Sequence, residues 1–209
     1  MGEPDPRRVF SKVVLAVEGK DEKNFFDVFL RYLGVDDFQI EEVGGKNQFP
    51  VKFPALLKMP GFFKPDESPF VTHVILIRDK DEDQAFESMA AIVDKEGLTP
   101  PESHGSFSQA VPKVGIFIMP GDTVEGCMLE DLCLKTVENH PAMRCVNEFI
   151  SCASTLGTKP KSVPKAKAQA FLAAQPEIAT SVGVGAQKSY WDFDSPALAE
   201  LKEFLNHLK

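Results

Sequence analysis

Residues 74–83 read V-I-L-I-R-D-K-D-E-D, and this stretch decides the fold. Four apolar residues, Val74 to Ile77, run without alternation and stop at a cluster of acids. A run this short and rich in β-branched residues predicts a strand buried on both faces, as in a parallel sheet. The acids then lie at the strand's carboxyl end, the edge at which open α/β sheets bind ligands. Asp79 and Asp81 are two apart, so continued extension points them the same way. Two carboxylates ~5 Å apart repel by roughly 3 kcal/mol at an effective dielectric of ~20. A divalent cation relieves that repulsion, and oxygen ligands suit Mg²⁺ or Mn²⁺. The alternative is a solvated acidic turn opening the next helix, whose amino end also favours Asp and Glu.

An earlier stretch has the same form. Residues 13–17, V-V-L-A-V, end at Glu18-Gly19, again a buried strand closing on an acid. Gly19 permits a sharp turn. Asp21 reads as an N-cap for a helix from about Glu22 to Leu33, with Phe25, Phe29 and Leu33 at helical spacing and Gly34 as C-cap. If the two strands are neighbours, they lie ~4.8 Å apart. Glu18, Asp79 and Asp81 then form a three-carboxylate cluster on one edge.

V-E-G-K-D-E at 17–22 followed by R-D-K-D at 78–81 resembles the TOPRIM domain. That domain is shared by topoisomerases, bacterial primases, OLD-family nucleases and small ribosomal-RNA maturation nucleases. The resemblance covers roughly residues 12–120 and implies a Rossmann-like fold. It implies that Glu18 is a metal ligand or general acid/base and that Asp79 and Asp81 are metal ligands. The position four after the glutamate holds Glu22, preceded by Asp21, where many members have aspartate. The sequence looks closest to stand-alone TOPRIM-related proteins.

The remaining segments alternate as α/β sequence. They predict a central, mostly parallel sheet flanked by helices, with strands near 13–17, 38–43, 72–78 and 114–119. All 209 residues read as one domain, an α/β core over 12–120 and a mainly helical extension over 121–209 packed on it. Gly44-Gly45-Lys46-Asn47 follows a strand and reads either as a glycine turn or as a phosphate cradle. Residues 48–63 mix prolines with apolar residues, giving a short helix or irregular covering. Residues 84–96 form an amphipathic helix with Phe86, Met89, Ile92 and Val93 inward. Residues 98–110, rich in Pro, Ser and Gly, read as a loop.

In the segment 121–137, Glu130 and Asp131 stand among apolar neighbours. They are additional candidates for the metal site, with Asp21, Glu22 and Asp83. The alternative is an exposed pair on an amphipathic helix. From Pro141 the chain reads as helices over 143–153 and 164–174. A last helix is capped by Ser195, with Pro196 at its first position and Leu198, Leu201, Leu205 and Leu208 as its buried stripe. Lys159, Lys161, Lys165 and Lys167 lie in a stretch without acids, 156–175. They form either a strip for a phosphate backbone or a solvated helix face. Tyr190 and Trp191 stack bases or pack the last helix.

A net charge of −8 argues against a broad nucleic-acid footprint, which makes that lysine strip a local exception. Cys127, Cys133, Cys145 and Cys152 form no C-x-x-C pair and the four histidines no H-x-x-x-H, so zinc is not indicated. No signal peptide or transmembrane run is seen, which predicts a cytoplasmic protein with reduced cysteines and no membrane partner. A topoisomerase needs a nucleophilic tyrosine, and neither Tyr32 nor Tyr190 lies in a matching context. The expectation is a Mg²⁺- or Mn²⁺-dependent phosphoryl-transfer enzyme, a nuclease acting on RNA or DNA. Its rival is a non-catalytic module binding a nucleotide or a partner protein.

Overall fold

The computed structural model describes residues 8–80, 84–157 and 159–209. Asp81 and Asp83 lie outside the described residues. Strands β1 (Val13–Val17), β2 (Phe38–Glu42), β3 (His73–Asp79), β4 (Ser106–Phe107) and β5 (Lys113–Met119) form one sheet in the order β2-β1-β3-β5-β4. β1 pairs in parallel with β2 and β3, and β3 with β5; β4 alone is antiparallel. Helices α1 (Lys20–Tyr32), α2 (Phe49–Leu57) and α3 (Ala85–Lys95) lie between strands, and α4 (Leu129–Thr136), α5 (Ala142–Thr155), α6 (Val163–Ala173), α7 (Val182–Gln187) and α8 (Ala199–Asn206) follow the sheet.

The unbroken apolar runs cover both sheet faces by alternation. Val13, Leu15, Val17, Ile75, Ile77, Phe117 and Met119 face one cluster with α1 and the C-terminal helices. Val14, Ala16, Val74, Leu76, Val114, Ile116 and Ile118 face the other, with α2 and α3. On α1, Phe25, Phe26, Phe29 and Leu30 are buried, each worth about 1.5–3 kcal/mol. The first cluster is built from both halves of the chain: Leu129, Leu132, Phe171, Leu172, Trp191, Leu201 and Phe204 join the sheet residues.

Several boundaries differ from expectation. α1 begins at Lys20, so Asp21 sits in the first turn and Gly19, extended at φ −155°, holds the cap position. At the other end Gly34 (φ +78°) closes a Schellman turn, its N–H donating to Arg31 O and that of Val35 to Leu30 O, both at 3.0 Å. Of the two readings of 48–63 the short helix holds: α2 is nine residues long, with Pro54 inside it. The expected loop 98–110 contributes β4. Ser195 caps a 3-10 turn over Pro196–Leu198 that runs into α8. Trp191 is buried, stacks on Phe171 with ring centroids 5.3 Å apart and donates Nε1–H to Val182 O, so it packs the core rather than offering a face to a base. Among the described residues, no helix is long and apolar enough to cross a membrane.

Candidate carboxylate site

The chain leaves β1 toward β2 on one side and then crosses to β3 on the other, so the order reverses between β1 and β3. That reversal opens a crevice at the carboxyl ends of the two strands, the favoured ligand position in open α/β sheets. Glu18 follows β1 and Asp79 ends β3, so both candidates lie at this crevice. The backbone N–H of Asp79 donates to Glu18 Oε1 at 3.0 Å. Arg78 is buried, with Nε 4.0 Å from the same oxygen. Asp79 Oδ1 accepts from the N–H of Leu129, the first residue of α4, at 3.1 Å.

Glu18, Asp21 and Glu22 line a cleft of about 630 Å³ with Glu130 and Lys165. Its far wall is Thr180, Ser181 and Val184, at the start of α7. That wall is set close to α1: a Cβ on Gly183 would lie 2.6 Å from the Asp21 carbonyl. The lining sets four acids against two lysines, Lys20 and Lys165. Burial, then the charges of Glu22, Glu18 and Glu130, push the Asp79 carboxyl up to about 8. Burial also holds Glu22 above the carboxylate range, and Glu18, Glu130 and Asp21 push the same way. Glu130 is raised by burial, with Lys165 Nζ, 3.8 Å from its Oε1, pulling it back. Beneath them the buried Cys133 thiol is pushed up by burial and the same acids, which leaves it unsuited to act as a thiolate nucleophile.

The structure thus brings Glu18, Asp21, Glu22, Asp79 and Glu130 to one end of the sheet. Among the described residues, no three of these acids hold ligand oxygens within 4.8 Å of one another. Asp131 is turned elsewhere, its Oδ2 accepting from Cys127 N at 2.9 Å, and closes its own turn against Gly126. The Gly44-Gly45 segment is a glycine turn, with φ of +85° and +104°. Its two N–H groups donate to the Glu18 carbonyl at 2.9 and 2.8 Å, so they fix the strand end and are not turned to a phosphate. Of the lysine strip, Lys165 reaches the cleft. Lys167 stands two residues further along α6, about 200° around the helix, so the four lysines do not share a face.

The sequence reading missed Arg78 and the α7 wall. Thr180-Ser181 ahead of an apolar segment is a helix-start signal, and Ser181 does cap α7, accepting from Val184 N at 3.4 Å. The two glycines that follow, Gly183 and Gly185, hid the helix.

The C-terminal region of the Burkholderia pseudomallei OLD protein has a similar fold, with a TM-score of 0.50 at 13% identity, over 96% of this chain and 100% of that one. The C-terminal region of the Xanthomonas campestris pv. campestris OLD protein aligns at a TM-score of 0.48 and 15% identity, over 95% of this chain and 96% of that one. No curated protein matches the chain. Residues 12–209 match the model of the family described as "Protein of unknown function (DUF3226)", and the chain belongs to that family.

Proposed function

We propose that this chain is a TOPRIM-type, metal-dependent phosphoryl-transfer enzyme that cleaves RNA or DNA. The observation that carries the reading is the joining of Glu18 and Asp79 across the switch point of the sheet, with Glu22 and Glu130 in the same crevice. The likeness of fold to the OLD C-terminal regions is consistent with it.

The donor set fits a hard cation. It is all oxygen, it comes from four separate segments, and its carboxyl groups are raised by burial first and by one another's charges second, both of which a bound cation would offset. Glu18 and Asp79 would hold Mg²⁺ or Mn²⁺, with Asp81, Glu22 and Glu130 as further ligands. When bound, such an ion supplies positive charge to the scissile phosphate and acidifies a water. The chain's own part is orientation. Asp79 N–H fixes Glu18 Oε1, and Leu129 N–H fixes Asp79 Oδ1. Asp79 Oδ2 has no hydrogen-bond partner among the described residues. Lys165, exposed beside Glu130, supplies the ammonium that meets a phosphate oxygen at the rim.

The test is cleavage of single- and double-stranded RNA and DNA with Mn²⁺. Cutting by the wild type, lost in Glu18→Gln while substrate affinity stays within about twofold, supports the reading, because that change acts on the bond-breaking step. A second reading, a non-catalytic module for a partner protein or nucleotide, is favoured by the net charge of −8. A full substrate panel neither bound nor cut would select it.

A further inference from the structure

Among the described residues, one trio away from the cleft brings metal-type ligands together: His104, Asp122 and Glu200 offer atoms within 4.8 Å of one another. The hydrogen bonds speak against an ion there. His104 Nδ1 accepts from the backbone N–H of Ile118 at 2.9 Å, so in the neutral ring Nε2 carries the proton. That Nε2–H meets Glu200 Oε1 at 3.1 Å and has no lone pair for a metal. Glu200 also accepts from Asp122 N at 3.1 and 2.9 Å, from Thr123 N at 3.1 Å and from Thr123 Oγ1 at 3.1 Å. Burial pushes its carboxyl up, but these donors outweigh burial and hold it below the ordinary range. Glu200 is an ionised anchor seated in a ring of donors. Its helix is pinned by the buried Leu201, Phe204 and Leu205.

The segment that Glu200 holds leads into the cleft. Only Val124, Glu125 and Gly126 separate Thr123 from Cys127, whose carbonyl accepts from Lys80 N at 2.9 Å. Two residues on, Leu129 N–H bonds Asp79, and Glu130 follows in the cleft wall. The turn has little slack: a Cβ on Gly121 would lie 2.7 Å from Glu200 Oε2, and one on Gly126 2.3 Å from the Asp131 carboxyl carbon.

We infer that Glu200 is a positioning residue for the carboxylate cleft, fixing through residues 121–129 the Leu129 amide on Asp79 and the placement of Glu130, an inference that rests on the proposed reading of the cleft. Supports of this kind, one step behind the ligands, commonly change metal affinity by about 10- to 100-fold when removed.

Glu200→Ala and Glu200→Gln are compared with Glu203→Gln, an exposed acid on the same helix. Hydrogen exchange of the metal-free proteins, followed by NMR, reads the Leu129 amide directly. Both Glu200 variants should exchange at least about tenfold faster over 127–130, with β1 unchanged. Mn²⁺ titration, well below the melting temperature of every variant, should give a Kd raised about tenfold in Glu200→Ala and unchanged in Glu203→Gln. A role confined to stability would lower Tm and leave that affinity alone. Wild-type exchange at Leu129 in both Glu200 variants overturns the inference, and so does faster exchange with unaltered Mn²⁺ affinity. If the wild type binds no Mn²⁺, the reading of the cleft fails and the exchange data alone decide the role of Glu200. If Glu200→Ala does not fold, Glu200→Gln carries both measurements, since it keeps the side-chain shape and one acceptor oxygen.

Discussion

Glu18 Oε1 accepts the backbone N–H of Asp79 at 3.0 Å, so the acid that ends one strand is fastened to the acid that ends its neighbour. The parallel register, with Ala16 opposite Leu76, makes this bond reachable without a bend in either strand. Two carboxylates are thereby held at one sheet edge whatever their charge state.

The metal-free protein should lose stability as pH rises. Asp79 has its folded pKa raised to about 8 from 3.8, so the folded state binds this proton more tightly than the unfolded chain does. That contribution is complete below about pH 4 and gone above about pH 8, and the raised Glu22 and Glu130 act in the same direction. Urea unfolding in chelator from pH 5 to 8 should show a fall to which Asp79 alone contributes at most about 1.4 kcal/mol per pH unit. Asp79→Asn should remove most of that slope and be more stable than wild type at pH 8. A flat wild-type profile would sink the idea.

Mg²⁺ or Mn²⁺ should raise the melting temperature, since an ion bound by the folded state stabilises it by about 2.7 kcal/mol at a hundred times its Kd. Asp79→Asn should abolish the gain. Asp81→Asn tests the residue for which the sequence motif alone speaks; a variant that keeps the full shift would exclude it as a ligand.

The lysines should separate. Lys165→Ala should weaken nucleic-acid binding and reduce its salt slope by about 0.7–0.9, one phosphate contact. Lys167→Ala should change neither, because it lies on another side of α6 from the cleft. Equal losses in both variants would restore the shared strip.

Gly183→Ala should cost about 1–3 kcal/mol, because its Cβ would press on the Asp21 carbonyl at 2.6 Å, and backbone cannot swing aside. Gly115→Ala should cost a similar ~1–3 kcal/mol, its Cβ meeting the Phe107 and Phe204 rings at 2.6–2.8 Å. Thermal melts of the two variants check both; a loss under about 0.5 kcal/mol at Gly183 would mean that α7 shifts freely.

The strand ends were legible in the sequence because an apolar run that stops on an acid carries both burial and polarity in consecutive residues. The placement of Glu18 and Asp79 at strand ends needed nothing further; their roles as ligands rest on the resemblance. Glu130 and Asp131 are adjacent in sequence, and only the roughly 100° between successive helical residues sends one to the cleft and the other back to its own turn. β4 is two residues long in a Pro- and Gly-rich stretch, too short to show a period. α7 runs against helix propensity at Gly183 and Gly185. The reason is tertiary: Gly183 lets it approach α1, and Gly185 meets Leu172 and Trp191, where a Cβ would lie 2.8–2.9 Å from each. No local pattern states who that neighbour will be.

The contact between Gly183 and the start of α1 has a meaning beyond packing. The helix that carries Asp21 and Glu22 and the helix that carries the far wall meet backbone to backbone at Asp21 and Gly183, so that side of the cleft is hinged shut at one point. Widening the cleft there means parting two helices at their tightest point.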